Sequence, residues 1–282
     1  MNVAYHLHKL GLNSTMISSI GDDQSGKELQ LFLIESGLPI EDIQVDSEHA
    51  TSEVHANVNE HQEVEYDIIY PVAWDYIKWK PEYAVLLSNA EAFVYGSLGA
   101  RNAVTRETLL KLLDHANYKV FDVNLREPHY SADLIVELLE HADLVKLNTS
   151  ELSFLSKWYF DGNQTELETI EMIFDLFKIK EMIVTRGSKG ASYFNPTLRY
   201  DYPAYSVIVN DTVGSGDSFL AAFLTMKLKG EPLEVALDYA VAMGAFITSQ
   251  SGACPDYELP DFNKFLWKRS LIFQDERFRG NK

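Results

Sequence analysis

The chain has 282 residues, with 24 Lys plus Arg against 42 Asp plus Glu and a formal charge of −18 at pH 7. That charge repels nucleic acid and anionic lipid, so neither is an expected partner, and a site for an anion must create its own local positive potential. With 46% hydrophobic and 23% charged residues the composition is globular and excludes a disordered chain. The single cysteine, Cys254, excludes an internal disulfide and a structural zinc site.

The opening stretch Met1–Leu10 is interrupted by His6, His8 and Lys9, unlike a secretory signal. Apolar runs such as Phe219–Leu224 fall far short of the roughly 18 residues of a membrane span, so a cytoplasmic protein is expected. The length allows one large α/β domain plus an insertion.

Asn2–Leu10 predicts a helix with Val3, Leu7 and Leu10 on one face and Gly11 at its end. Gly21-Asp22-Asp23-Gln24-Ser25-Gly26-Lys27 has the glycine and lysine spacing of a phosphate-binding P-loop, but Glu28 stands where Ser or Thr must ligate Mg²⁺. Asp22 or Asp23 is instead expected to cap a helix over Gly26–Ser36 or to touch a polyol hydroxyl. Residues 51–59 and 63–70 alternate polar and apolar across a polar turn, which predicts a β-hairpin with one wet face. Trp74 and Trp79 follow, as packing residues or as a stacking surface.

From residue 92 the chain alternates buried strands and helices. Strands are predicted over 92–95, 119–123, 144–147 and 182–185, with helices over 106–115, 131–141 and 166–177. This is the signature of a mostly parallel sheet covered by helices, whose ligands bind beyond the carboxyl ends of the strands.

Candidate chemistry collects at those ends. Asp122, Asn124 and Arg126 are expected to point the same way by period two, into the crevice or into a surface salt bridge. Asn148 and Glu151 form either a helix capping pair or a carboxylate that holds Mg²⁺ through water. Thr185-Arg186-Gly187-Ser188-Lys189-Gly190 suits a nucleotide's phosphates, or a hairpin turn.

Asp211-Thr212-Val213-Gly214-Ser215-Gly216-Asp217 precedes a long apolar helix. Its glycines allow close approach of an anion to backbone N–H groups at a helix start, where the dipole adds positive potential. Asp217 there can take a proton from an attacking hydroxyl, or Asp217 or Ser215 can simply cap the helix. The eight histidines are expected to be solvated, His6 and His8 included.

Together and in this order these segments resemble the PfkB, or ribokinase-like, family of carbohydrate kinases over about residues 1–256. The most specific match is Asp211–Asp217 to the family's D-T-x-G-A-G-D, with Ser215 in the alanine position. The resemblance implies a ribokinase-like three-layer α/β sandwich made of residues 1–47 and 82–282, with a β lid and dimerisation flap at 48–81. It implies transfer of the γ-phosphoryl group of ATP to a sugar. Asp217 would be the base, the amides of Gly214, Ser215 and Gly216 the anion hole, and Asn148 and Glu151 the organisers of Mg²⁺ and phosphates. Thr185 and Gly187 would contact ATP, and Asn2, Arg101 and Arg126 the sugar. A monovalent cation, K⁺, would sit by Asp211 and Val213.

Tyr95-Gly96-Ser97-Leu98 with Arg101 and Arg106, and Asp122–Arg126, look most like bacterial fructokinases; 2-keto-3-deoxygluconate kinase and ribokinase are the alternatives. A homodimer through the lid is expected. Asn2 matches the asparagine of the family's opening Gly-Gly-x-x-x-Asn turn, so the first strand and its sugar-binding Asp are expected to be missing. A catalytically weak binding protein is therefore the competing expectation. A Rossmann dehydrogenase is excluded for want of a strand-following G-x-G-x-x-G.

Overall fold

The computed structural model describes residues 1–58, 64–160 and 162–267. These pack as two compact units. Among the described residues the first contains Met1–Ser14, Val184–Phe194 and the stretch from Leu198 to Trp267; the second contains Thr15–Ile183 with Asn195–Thr197.

The second unit opens with β1 (Ser18–Gly21), α2 (Gln24–Glu35) and β2 (Ile43–Asp46), numbered after the amino-terminal helix α1 (Asn2–Lys9). β1 and β2 pair in parallel, with Ile20 opposite Val45. Asp23 caps α2 by accepting from the Gly26 amide at 2.7 Å, as expected of this segment. The hairpin follows as β3 (Val54–Val58) and β4 (Val64–Ile68), antiparallel with Val54 opposite Ile68. Residues 59–63, which hold the expected turn and the adjoining strand ends Asn59 and Glu63, lie outside the described residues.

A 3₁₀ turn at Ala73–Tyr76 and helix α3 (Glu82–Asn89) lead into the alternating part. Its elements are β5 (Phe93–Gly96), α4 (Ala103–His115), β6 (Lys119–Asp122), α5 (Ala132–Leu139), β7 (Leu144–Asn148), α6 (Thr149–Tyr159), α7 (Glu166–Phe177) and β8 (Glu181–Thr185). Strand order is β8-β7-β6-β5. β5, β6 and β7 are parallel, with Val94 opposite Val120 and Val120 opposite Leu144.

Val120, Phe121, Leu144, Val145 and Leu147 are fully buried, which is why these strands read as mostly apolar runs, interrupted in β7 by Lys146, rather than alternating ones. Leu113, Ile135, Leu138 and Leu139 on α4 and α5 are buried as well. Each such side chain contributes about 1.5–3 kcal/mol relative to exposure. Among the described residues β1-β2 is a separate sheet from the one containing β5 to β8.

The first unit contains α1, the end of β8, β9 (Ala191–Asn195), β10 (Leu198–Tyr202), α8 (Ser215–Leu228) and α9 (Leu233–Thr248). Strand order there is β10-β9-β8. α8 is buried at every position from Ser218 to Thr225, so its apolar residues show no stripe; a helix hydrophobic all round is a core helix. No helix among the described residues is long and apolar enough to cross a membrane.

Two expectations fail locally. β6 stops at Asp122, and Asn124 turns the chain with φ +39°, so the period-two alignment of Asp122, Asn124 and Arg126 does not form. His6 is fully buried rather than solvated.

Candidate active site

In the first unit the candidate residues converge at the start of α8. Gly214 is its N-cap, with φ +76°, a left-handed conformation that suits glycine. A Cβ there would lie 2.7 Å from Cα of Ala253, so no side chain fits between the loop and Ala253. The preceding loop is braced from the far end of α9. The Asn210 and Asp211 amides donate to Thr248 O at 3.0 and 3.2 Å, and Asn210 Nδ2 donates to Gln250 O at 3.0 Å.

Asp211 accepts from the Val213 and Gly252 amides at 2.9 and 3.0 Å, and those two hydrogen bonds hold its carboxyl below the usual carboxylate range. The Ser215 amide donates to Thr212 O at 3.3 Å, so that donor already has a partner in the loop. Ser215 Oγ donates to Gly244 O at 3.4 Å, a contact that alanine could not make.

Asp217 sits on the first turn, half-buried, and Asn2 Nδ2 donates to its Oδ2 at 2.7 Å. Oδ1 has no hydrogen bond to a described residue. Asn2 thus orients the carboxylate, and its Oδ1 accepts a weak donation from Cys254 Sγ at 3.4 Å. Burial pushes the Cys254 thiol up to about 11, so it is a poor nucleophile.

The same helix, α1, grips the segment after Gly252. Tyr5 OH donates to Pro255 O at 2.8 Å, and Lys9 Nζ meets Asp256 Oδ1 at 3.1 Å. His6 Nε2 lies 2.9 Å from Ala253 O, and its Nδ1 lies 3.1 Å from Tyr257 OH, the two rings being stacked. A carbonyl only accepts, so Nε2 bears the proton and Nδ1 accepts from Tyr257. Burial, opposed by the Ala253 carbonyl and by Asp217, holds His6 below the ordinary imidazole value and keeps it neutral.

Thr185 and Gly187 stand at the end of β8, where Gly187 opens a 3₁₀ turn with φ +54°. Arg186 Nε donates to Ser192 Oγ at 3.0 Å, so that cation is turned onto β9, whereas Lys189 is exposed.

In the second unit Asn148 and Glu151 form a reciprocal capping box on α6. Asn148 Oδ1 accepts from the Glu151 amide at 2.9 Å, and Glu151 Oε2 accepts from the Asn148 amide at 2.8 Å. Glu151 Oε1 accepts from the Leu125 amide at 3.0 Å. The buried carboxylate therefore ties the loop after β6 to the start of α6. Each oxygen keeps a second lone pair, so a water of a hydrated cation can still donate to it.

Asp122 does not face a crevice as expected. Its carboxylate receives Lys146 Nζ at 3.0 Å on both oxygens, a buried pair between β6 and β7. Arg126 is exposed, its Nη1 donating to Leu125 O at 3.2 Å.

The Arg101 side chain is buried at the root of the hairpin. Its Nε and Nη2 donate to Asp75 at 2.7 and 2.8 Å, and Nη2 also donates to Ile69 O at 2.7 Å. The guanidinium lies 4.1 Å from the Trp74 ring centroid and 4.9 Å from that of Tyr70, so Trp74 stacks on a cation of the chain itself. Nη1 has no hydrogen bond among the described residues. Sequence reasoning missed both Asp75 and His6. Each is recognisable only through a partner distant in the chain.

Residues 1–259 match the profile of the pfkB family carbohydrate kinases. The chain is 29% identical to probable fructokinase-5 of Arabidopsis thaliana, over 95% of this chain and 87% of that protein. It is 28% identical to fructokinase-2 of Oryza sativa subsp. japonica, over 90% and 79%. Among solved structures, a fructokinase from Xylella fastidiosa with bound ATP superposes with TM-score 0.83 at 21% identity, covering 95% of this chain and 89% of the other. Aminoimidazole riboside kinase from Salmonella enterica, complexed with aminoimidazole riboside and an ATP analog, gives TM-score 0.79 at 24% identity, over 94% and 90%. The fold is ribokinase-like α/β, and the chain belongs to the pfkB family of carbohydrate kinases.

Proposed function

We propose that this carbohydrate kinase transfers the γ-phosphoryl group of Mg-ATP to a hydroxyl of fructose. One observation carries the assignment of roles: the Asp217 carboxylate stands on the first turn of α8, just after the left-handed Gly214, oriented by Asn2 through one oxygen only. Asp217 accepts the proton of the sugar hydroxyl as its oxygen bonds to the γ-phosphorus, and the bond to the β–γ bridging oxygen breaks to release ADP. The backbone at Gly214, Ser215 and Gly216, with the α8 dipole, meets the charge developing on the transferred group.

Thr185 and Gly187 contact the nucleotide. Asn148 and Glu151 hold Mg²⁺ through its waters, and the ion, once bound, offsets phosphate charge. K⁺ belongs beside Asp211 and Val213. Sugar contacts fall to Asn2, to Arg126 and to Nη1 of Arg101, the nitrogen its ion pair leaves over. Residues 48–81 serve as lid and as contact with a second copy, and the enzyme works in the cytoplasm. Fructose is favoured by the names of the similar plant proteins.

The test is ADP release from Mg-ATP with fructose, ribose, 2-keto-3-deoxygluconate, adenosine or no acceptor. Release with fructose alone or best is expected. Release best with another sugar would reassign the substrate. Sugar binding without ADP would favour a catalytically weak binding protein instead.

A further inference from the structure

His6 is a fully buried imidazole that the proposed reaction does not use. Its Nε2–H donates to Ala253 O at 2.9 Å, and Ala253 fills the space against Gly214, where not even a methyl group fits. Its other nitrogen is held by Tyr257 OH at 3.1 Å, which fixes the ring plane and the tautomer together. Tyr5 and Lys9 hold the neighbouring Pro255 and Asp256, so α1 grips consecutive residues of one segment. From the same helix Asn2 reaches Asp217. One short helix thereby sets both the base and the wall of the loop that starts α8.

We propose that His6 is a positioning residue: by holding Ala253 against Gly214 it fixes the backbone of Gly214–Gly216 and the angle at which Asp217 leaves α8. It touches no reacting atom. Its effect on turnover rests on the phosphoryl-transfer reading above, whereas its effect on the loop does not.

The experiment compares His6→Phe, which keeps an aromatic ring but loses the donor, with His6→Gln, whose amide nitrogen can replace Nε2–H. Two readouts are taken on the full chain: hydrogen exchange of the peptide spanning residues 212–218, and the kinetics of sugar-dependent ADP release. In His6→Phe the peptide is expected to exchange at least about fivefold faster. Turnover should fall at least about tenfold with the sugar KM within about twofold, since small misplacements of a catalytic group are costly. His6→Gln should return both to within about threefold of the parent.

Unchanged exchange in His6→Phe overturns the proposal, as does an equal loss in both variants accompanied by an equal drop in Tm, which would mark bulk packing. Faster exchange with unchanged turnover overturns the positioning role. If the parent releases no ADP with any sugar, the kinase reading fails, and exchange that is faster in His6→Phe but not in His6→Gln still supports the clamp.

Discussion

Asp217 and Glu151 occupy the same helical position, the third residue of α8 and of α6, and the two regions use it in opposite ways. On α6 the cap is Asn148, whose side chain satisfies the Glu151 amide while Glu151 returns the bond. Its second oxygen is taken by the Leu125 amide. Both oxygens thus serve the backbone. On α8 the cap is Gly214, which has no side chain with which to close such a box. Asp217 is left with one oxygen on Asn2 and the other without a hydrogen bond among the described residues. A glycine in place of a polar cap keeps a first-turn carboxylate available for proton transfer.

The comparison breaks most visibly in stability. Glu151→Gln turns an NH₂ toward a backbone N–H and leaves a buried donor unsatisfied, at a cost of about 1–3 kcal/mol. Urea unfolding should show that loss for Glu151→Gln and under 0.5 kcal/mol, roughly, for the half-buried Asp217→Asn. Equal losses would erase the distinction.

A smaller effect concerns pH. His6 is held neutral by burial, with Ala253, Tyr257 and Asp217 as its polar neighbours, so its folded pKa lies below the value near 6.5 of the unfolded chain. Between those two values the unfolded state binds more protons, so stability is full above about pH 6.5 and falls as pH drops below it, by up to about 1.4 kcal/mol per unit. His6→Gln should flatten that slope in urea unfolding at pH 7.5 and 5.5. The parent's slope persisting in the variant would assign it to other groups.

Much of this was legible from local signals. The Asp211–Asp217 loop, the cap at Asp23, the hairpin and the buried parallel strands each rest on residues within a few positions of one another. What escaped rests on distant partners. Nothing near His6 predicts burial, because Ala253 and Tyr257 lie about 250 residues on. The resemblance gives Arg101 to the sugar and offers no sign of its ion pair, because Asp75 sits 26 residues away. The period-two rule sends Asp122 into the crevice or a surface salt bridge because it cannot foresee Lys146 on the next strand or the turn at Asn124.

The central claim is that Asp217 takes the proton in a sugar-kinase reaction, and Asp217→Asn tests it most directly. With Mg-ATP and fructose, ADP release should fall at least about a hundredfold while ATP affinity stays within about threefold. Turnover within about threefold of the parent would contradict the role given to Asp217.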